Sequence, residues 1–369
     1  MIRIPSKKRL WIALVIAVAL ARTREASAST PPSAAPIQPR VITEPTKHDT
    51  DDPAIWINRA NPAQSLIVGT DKNADGALMV FGLDGKIQWD KCVRGLLRPN
   101  NVDIAYDVSI SGKKVDIAVT TERYANRLRV YRLPEMAAID GGGIPVFEGE
   151  AARECMGVAL YTRERDGTLF AIVGRSDAGA PRTGYLAQYQ ITDDGKGVLR
   201  GRKVRNFGTW SGRKEIEAIA VDNELGYVYY SDETFGVRKY QADPDAPNAD
   251  RELAVIGASG FAEDHEGISI YKRDRTTGYI VVSDQQANQL QIFTREGAAG
   301  HPHEHLHLRN VRVAAIESDG HDVTSTPLGA EFPRGMLVAM SNEKTFHLYS
   351  WNDLFAGSPT GAPIDAPRR

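Results

Sequence analysis

Cysteine is nearly absent from this sequence: only Cys92 and Cys155 occur among 369 residues. Two cysteines exclude a fold stapled by a disulfide framework, although one bridge between them stays open in an oxidising compartment, beside the alternative of two small core residues. Charge of one sign is also lacking. A formal net charge of -2 gives no long-range pull toward nucleic acid or an anionic membrane, so any grip on a highly charged anion has to come from a local cluster. Long apolar runs are missing beyond the segment from Leu10 to Ala21, and nothing else approaches the roughly twenty apolar residues of a membrane helix. Helical periodicity is scarce throughout.

That apolar run follows Arg3, Lys7, Lys8 and Arg9 and precedes the small residues Ala26-Ser27-Ala28, the order of a secretory signal peptide over residues 1–28. Export is expected, to the periplasm or the medium, with no membrane attachment after processing. Residues 29–45 are rich in Ser, Pro and Ala and read as a linker, the folded body runs from 46 to 358, and residues 359–369 read as a disordered tail. The body is expected to be monomeric.

Within the body one phrase recurs about every fifty residues: an acidic residue, an apolar strand, a turn, a second apolar strand, a polar cluster and an amphipathic strand. It opens at Asp52-Pro-Ala-Ile-Trp56, Asn101-Val-Asp-Ile-Ala105, Gly157-Val-Ala-Leu-Tyr161, Glu217-Ala-Ile-Ala-Val221, Glu266-Gly-Ile-Ser-Ile270 and Asp322-Val-Thr324. Six copies of a strand-only repeat this long suit four-stranded blades, because radial stacking protects the strand edges. The fold expected is therefore all-β, a six-bladed β-propeller.

Residues before each first strand and after each second strand then converge at one mouth of the central channel. Those places hold Asp51, Asp52, Asp71, Asp103, Glu122, Glu217, Asp232, Glu233, Asp264, Glu266, Asp284, Asp319 and Asp322. So many carboxylates at one opening repel one another unless cations neutralise them, and hard oxygen ligands in this number suit several Ca²⁺ ions. Lys72, Arg123 and Arg175 are expected at the matching position of the first three blades, with Glu233 and Glu343 there in later blades. A ring with a basic half and an acidic half suits a phosphate ester. The segment His301-Pro-His-Glu-His-Leu-His307 lies between a third strand and an outer strand, and reads as a surface loop and edge strand away from the mouth.

Asp51-Asp52-Pro-Ala-Ile-Trp56, Gly69-Thr-Asp-Lys72, Asn100-Asn-Val-Asp103, Gly112-Lys-Lys-Val-Asp-Ile-Ala118 and Asp264-His-Glu-Gly267 resemble the motifs of the β-propeller phytases, over residues 41 to 355. The resemblance implies a calcium-dependent 3-phytase-like phosphomonoesterase acting on myo-inositol hexakisphosphate or its calcium complex, by direct attack of a calcium-bound water. It implies Asp51, Asp52, Glu217, Glu233, Asp264, Glu266 and Asp319 as the calcium and site carboxylates. Lys72 and Arg123 stand as phosphate-binding cations that act with Glu217 in catalysis. Arg175 stands where the family often has lysine, and Met156 where it has a phosphate-contacting tyrosine; Asn73 replaces a second lysine and Ser176 a glutamate. An Arg-His-Gly phrase of the histidine acid phosphatases is absent. The competing expectations are a calcium-dependent propeller hydrolase such as a lactonase, and a propeller that binds inositol phosphates without turnover.

Overall fold

The protein is described here from a computed structural model covering residues 35–355; the expected signal peptide and C-terminal tail lie outside the described residues. The alternating and apolar runs form six four-stranded antiparallel sheets, joined in chain order. Blade 1 comprises Thr50–Trp56, Leu66–Asp71, Gly76–Gly82 and Val93–Leu96, and blade 2 comprises Pro99–Ile110, Lys113–Glu122, Arg127–Arg132 and Ile144–Pro145, with Ala137–Ala138 added to its third strand. Blade 3 is Cys155–Thr162, Leu169–Arg175, Thr183–Asp193 and Leu199–Thr209. Blade 4 is Ile219–Asp222, Tyr227–Asp232, Gly236–Gln241 and Ala254–Ile256. Blade 5 is Gly278–Asp284 between His265–Lys272 and Gln289–Thr294, with His307–Arg312 outermost.

Blade 6 takes His321–Thr324, Met336–Ser341 and Thr345–Ser350 from the end of the chain, and its outermost strand, Val41–Ile42, from the beginning. Val41 pairs with Leu348 and Ile42 with His347, while Ile37 bridges Val313 of the preceding blade. This corrects the linker expected to run to residue 45. Its last part is the clasp that closes the ring, and the Pro-rich composition hid a strand only two residues long.

The second strand of each blade is covered on both faces, which is why Leu66–Asp71, Leu169–Arg175 and Met336–Ser341 are buried throughout and carry almost continuous apolar runs. Apolar clusters fill the gaps between neighbouring sheets: Ile117, Val119 and Val130 of blade 2 pack with Val158, Leu160 and Val173 of blade 3. Between blades 5 and 6 the fully buried Trp351 stacks on Tyr271, with ring centroids 3.7 Å apart and planes 6° from parallel. Hydroxyls add a second seam. Thr121 donates to the Met156 carbonyl at 2.6 Å, Ser283 to Ser318 at 2.6 Å and Thr50 to Ser341 at 3.1 Å, each tying one blade to the next. Cys92 and Cys155 are unpaired thiols; Cys155 is fully buried, and desolvation pushes its pKa up to about 12. Among the described residues no helix is long and apolar enough to cross a membrane.

Candidate active site at the channel mouth

The inner strands enclose a cavity of about 540 Å³ along the channel, and the mouth is built where four of these strands begin. There the pairing slips: between Thr50 and Pro53, Pro99 and Val102, Cys155 and Val158, and His265 and Ile268. A β-bulge re-aims side chains that strict alternation would send to opposite faces. Asp51-Asp52, Asn100-Asn101, Met156-Gly157 and Glu266-Gly267 occupy these bulges. The bulged backbone also presses on the next blade. A Cβ on Gly157 would run into the Glu217 carbonyl, and one on Gly320 would stand 2.5 Å from Asp52 Oδ1 and 2.7 Å from the Asp51 carbonyl, so only glycine allows this approach.

At the end of each second strand two consecutive residues divide the labour. The first anchors the loop that enters its own blade. Asp71 Oδ1 accepts from the His48 and Asp49 amides at 2.9 and 2.8 Å, Glu122 from Leu97 N at 2.9 Å, Asp232 from Ser211 N at 2.8 Å, and Asp284 from Ala262 N at 3.0 Å. These four carboxylates are structural. Arg175 stands at the same phase, opposite Cys155 as Asp71 stands opposite Thr50. Only 1% exposed, its guanidinium donates to Glu150 Oε2 at 2.5 Å and to the carbonyls of Ala152 and Tyr185 at 3.2 and 2.8 Å, and lies over the Phe147 ring at 3.9 Å. The expectation of Arg175 as a phosphate ligand is corrected accordingly: it anchors a loop, with polarity reversed. Met156 is buried as well, its carbonyl taken by Thr121.

The following residue, Lys72, Arg123, Ser176, Glu233 or Gln285, is the one placed at the mouth. Lys72 Nζ donates to Asp51 Oδ1 at 2.6 Å and lies 3.5 Å from Asp319 Oδ2. Burial works against its charge, but Asp51, Glu217 and Asp319 outweigh that and hold the ammonium protonated. Asn100 Nδ2 bridges Asp51 Oδ2, at 2.8 Å, and Glu217 Oε1. Sequence reasoning quoted Asn100 in a motif without giving it this part. Arg123 sits beside these, bonded to Glu154 Oε2 at 3.1 Å, and its charge is felt at Glu215.

On the acidic side Glu215, Glu217 and Glu233 bring carboxylate oxygens within 4.8 Å of one another, and Glu233, Asp264 and Glu266 do the same. Glu233 belongs to both groups. Desolvation, then Glu215, pushes the Glu233 pKa up to about 8; desolvation and Asp51 raise Asp319 to about 7, and Glu217 and Glu266 are held well above the ordinary carboxylate range for the same kinds of cause. Among the described residues, Asp264 Oδ1 and Glu266 Oε2 are buried with no hydrogen-bond partner. Buried carboxyl oxygens without donors fit a hard cation, which takes the place of the proton. Asp52 is set apart. Its Oδ2 accepts from Val102 N at 3.0 Å, and it faces Asp103 and Asp322 down the channel, where each likewise caps a neighbouring blade's amide, at Leu160 and Ile55. Six of the seven expected carboxylates thus meet at the mouth, with Asp52 below them. Sequence reasoning also missed Lys214 and Glu215, which lie in a loop, and Gln285 and Gln286, which lie in the 3-10 turn Gln285–Ala287; only their nearness to Glu217 and Asp284 hinted at them. The histidines of 301–307 form no metal group with neighbouring donors among the described residues and lie on the loop and outer strand of blade 5.

A family model described as Phytase matches residues 10–355. A 3-phytase from Bacillus subtilis (strain 168) is 28% identical over 326 residues, 82% of this chain and 80% of that protein. With six blades in register and the charged mouth at their common end, the chain belongs to the phytase family.

Proposed function

We propose that this protein is an exported, calcium-dependent phytase of the 3-phytase type that releases phosphate from inositol hexakisphosphate at the channel mouth. The observation that carries the reading is the meeting of Lys72 and Asn100 with Asp51, Glu217 and Asp319 beside buried carboxylate oxygens that lack a donor among the described residues. Asp51, Glu217, Glu233, Asp264, Glu266 and Asp319 are the residues that would hold Ca²⁺. Bound there, the ions would neutralise the carboxylates and acidify a water for attack on phosphorus. Lys72 offers three donors to non-bridging phosphate oxygens, and Asp51 fixes where that ammonium points. Arg123 adds a planar donor at the rim, held by Glu154, for a phosphate on the same substrate. Asn100 fixes the spacing of Asp51 and Glu217, two carboxylates that would otherwise separate.

The test is phosphate release from phytate by the wild type and Glu217→Gln, with calcium and with a chelator. Release that requires calcium and drops at least about a hundredfold in the variant supports the reading. Calcium-independent release contradicts it, and binding of phytate without release favours the non-enzymatic propeller.

A further inference from the structure

The loop between the outer strand of blade 3 and the inner strand of blade 4 carries a lysine into the acidic half of the mouth. Lys214 Nζ lies 2.5 Å from Asp264 Oδ2 and 3.5 Å from Glu233 Oε2. Asp264 and Glu233 belong to the Glu233, Asp264 and Glu266 group, whose oxygens cluster within 4.8 Å. The backbone of this loop is fixed: the Ser211 amide and hydroxyl bond Asp232, the Trp210 indole donates to the Lys214 carbonyl, and Arg213 donates to the Thr234 carbonyl at 2.7 Å. The side chain is not fixed in the same way, since it remains 48% exposed and, among the described residues, its ammonium is held by the carboxylates alone.

That single ammonium does not complete the group. It shares Asp264 Oδ2 with the Gln286 amide, which donates at 2.6 Å, and leaves Asp264 Oδ1 and Glu266 Oε2 buried and without partners. An ammonium brings one positive charge and three donors on a flexible stem, whereas a divalent cation of the calcium type gathers six to eight oxygens. The ammonium and the metal therefore compete for the same oxygens, and the half-exposed stem gives the lysine somewhere to go.

We propose that Lys214 is a tethered counter-cation of the Glu233, Asp264 and Glu266 group, which binding of one divalent cation displaces. The proposal rests on the reading that the mouth takes calcium. In the metal-free protein the lysine offsets part of the repulsion among the three carboxylates, and on loading it sets how tightly that ion is held.

The exchange is tested by calcium-binding isotherms of the mature chain, by equilibrium dialysis or calorimetry, for wild type, Lys214→Met, Lys214→Arg and Glu266→Gln. Removing the competing charge raises affinity at one site about tenfold in Lys214→Met, while Lys214→Arg stays near wild type. Lys214→Met also melts lower than wild type in chelator and gains more on calcium addition. Superposable isotherms for wild type and Lys214→Met, with calcium binding weakened in Glu266→Gln, overturn the exchange and leave the calcium site standing. Absence of calcium binding in all four overturns both.

Discussion

Lys72 and Arg175 show how much depends on a single position. Both are basic residues at the end of a second strand, yet Lys72 reaches Asp51 at the mouth and Arg175 is sealed under Phe147 with Glu150. Successive side chains of a strand point to opposite faces, so a slip of one residue exchanges a ligand for a loop anchor. The repeat phrases align strands to within a residue or two, which is enough to count blades and too coarse to choose between Arg175 and Ser176. The two cations make separable predictions. Lys72→Met should lower kcat/KM for phytate about a hundredfold or more even in the fraction that stays folded, because it removes transition-state charge stabilisation as well as the ammonium that offsets the buried Asp51 carboxylate. Arg175→Met should instead destabilise by about 3–5 kcal/mol, since it takes the guanidinium from Glu150 Oε2 and from the carbonyls of Ala152, Gly184 and Tyr185, while the KM of the folded fraction stays near wild type. Thermal unfolding beside steady-state kinetics distinguishes the two.

The blades hold these side chains in place through contacts that run from each sheet to the next. The bulges at Asp51-Asp52, Asn100-Asn101 and Glu266-Gly267 set Asp51, Asn100 and Glu266 at one mouth, and they left no separate trace in the pattern of apolar residues, which is why Asn100 was quoted in a motif but given no role. Gly157→Ala should push the Glu217 backbone outward and cost activity as well as about 1–3 kcal/mol of stability, checked by denaturant unfolding and phosphate release. Farther from the mouth, the fully buried Arg295 joins blade 5 to blade 4 by donating to Asp222 Oδ2 at 2.6 Å and Oδ1 at 2.7 Å. Asp222→Ala takes the two shortest of that buried guanidinium's bonds and leaves it Glu224 at 3.1 Å, and a loss of about 3 kcal/mol is expected, with kinetics unchanged in what remains folded. The ring closure was the element least legible in advance. A strand of two residues has no periodicity to read, and only its pairing with Leu348 and His347 identifies it.

Over the whole molecule the balance of charge matters more than its total. A net charge of -2 conceals a mouth where Glu217, Glu233, Glu266 and Asp319 resist ionisation. Each of these carboxyls keeps its proton to higher pH folded than unfolded. Their contribution to stability is therefore complete below the ordinary carboxylate pKa and is lost as pH climbs through about 7 for Asp319 and about 8 for Glu233. In chelator the melting temperature should fall over that window, and calcium should restore it increasingly as pH rises, because protons and metal compete for the same oxygens. Differential scanning calorimetry from pH 5 to 9 checks both the slope and its reversal. The measurement that bears most directly on a cation-dependent phosphate site is anomalous diffraction from crystals grown in saturating calcium. Peaks within coordination distance of Glu217, Glu233, Asp264 and Glu266 are the predicted result, and a mouth without anomalous density under those conditions would contradict the account.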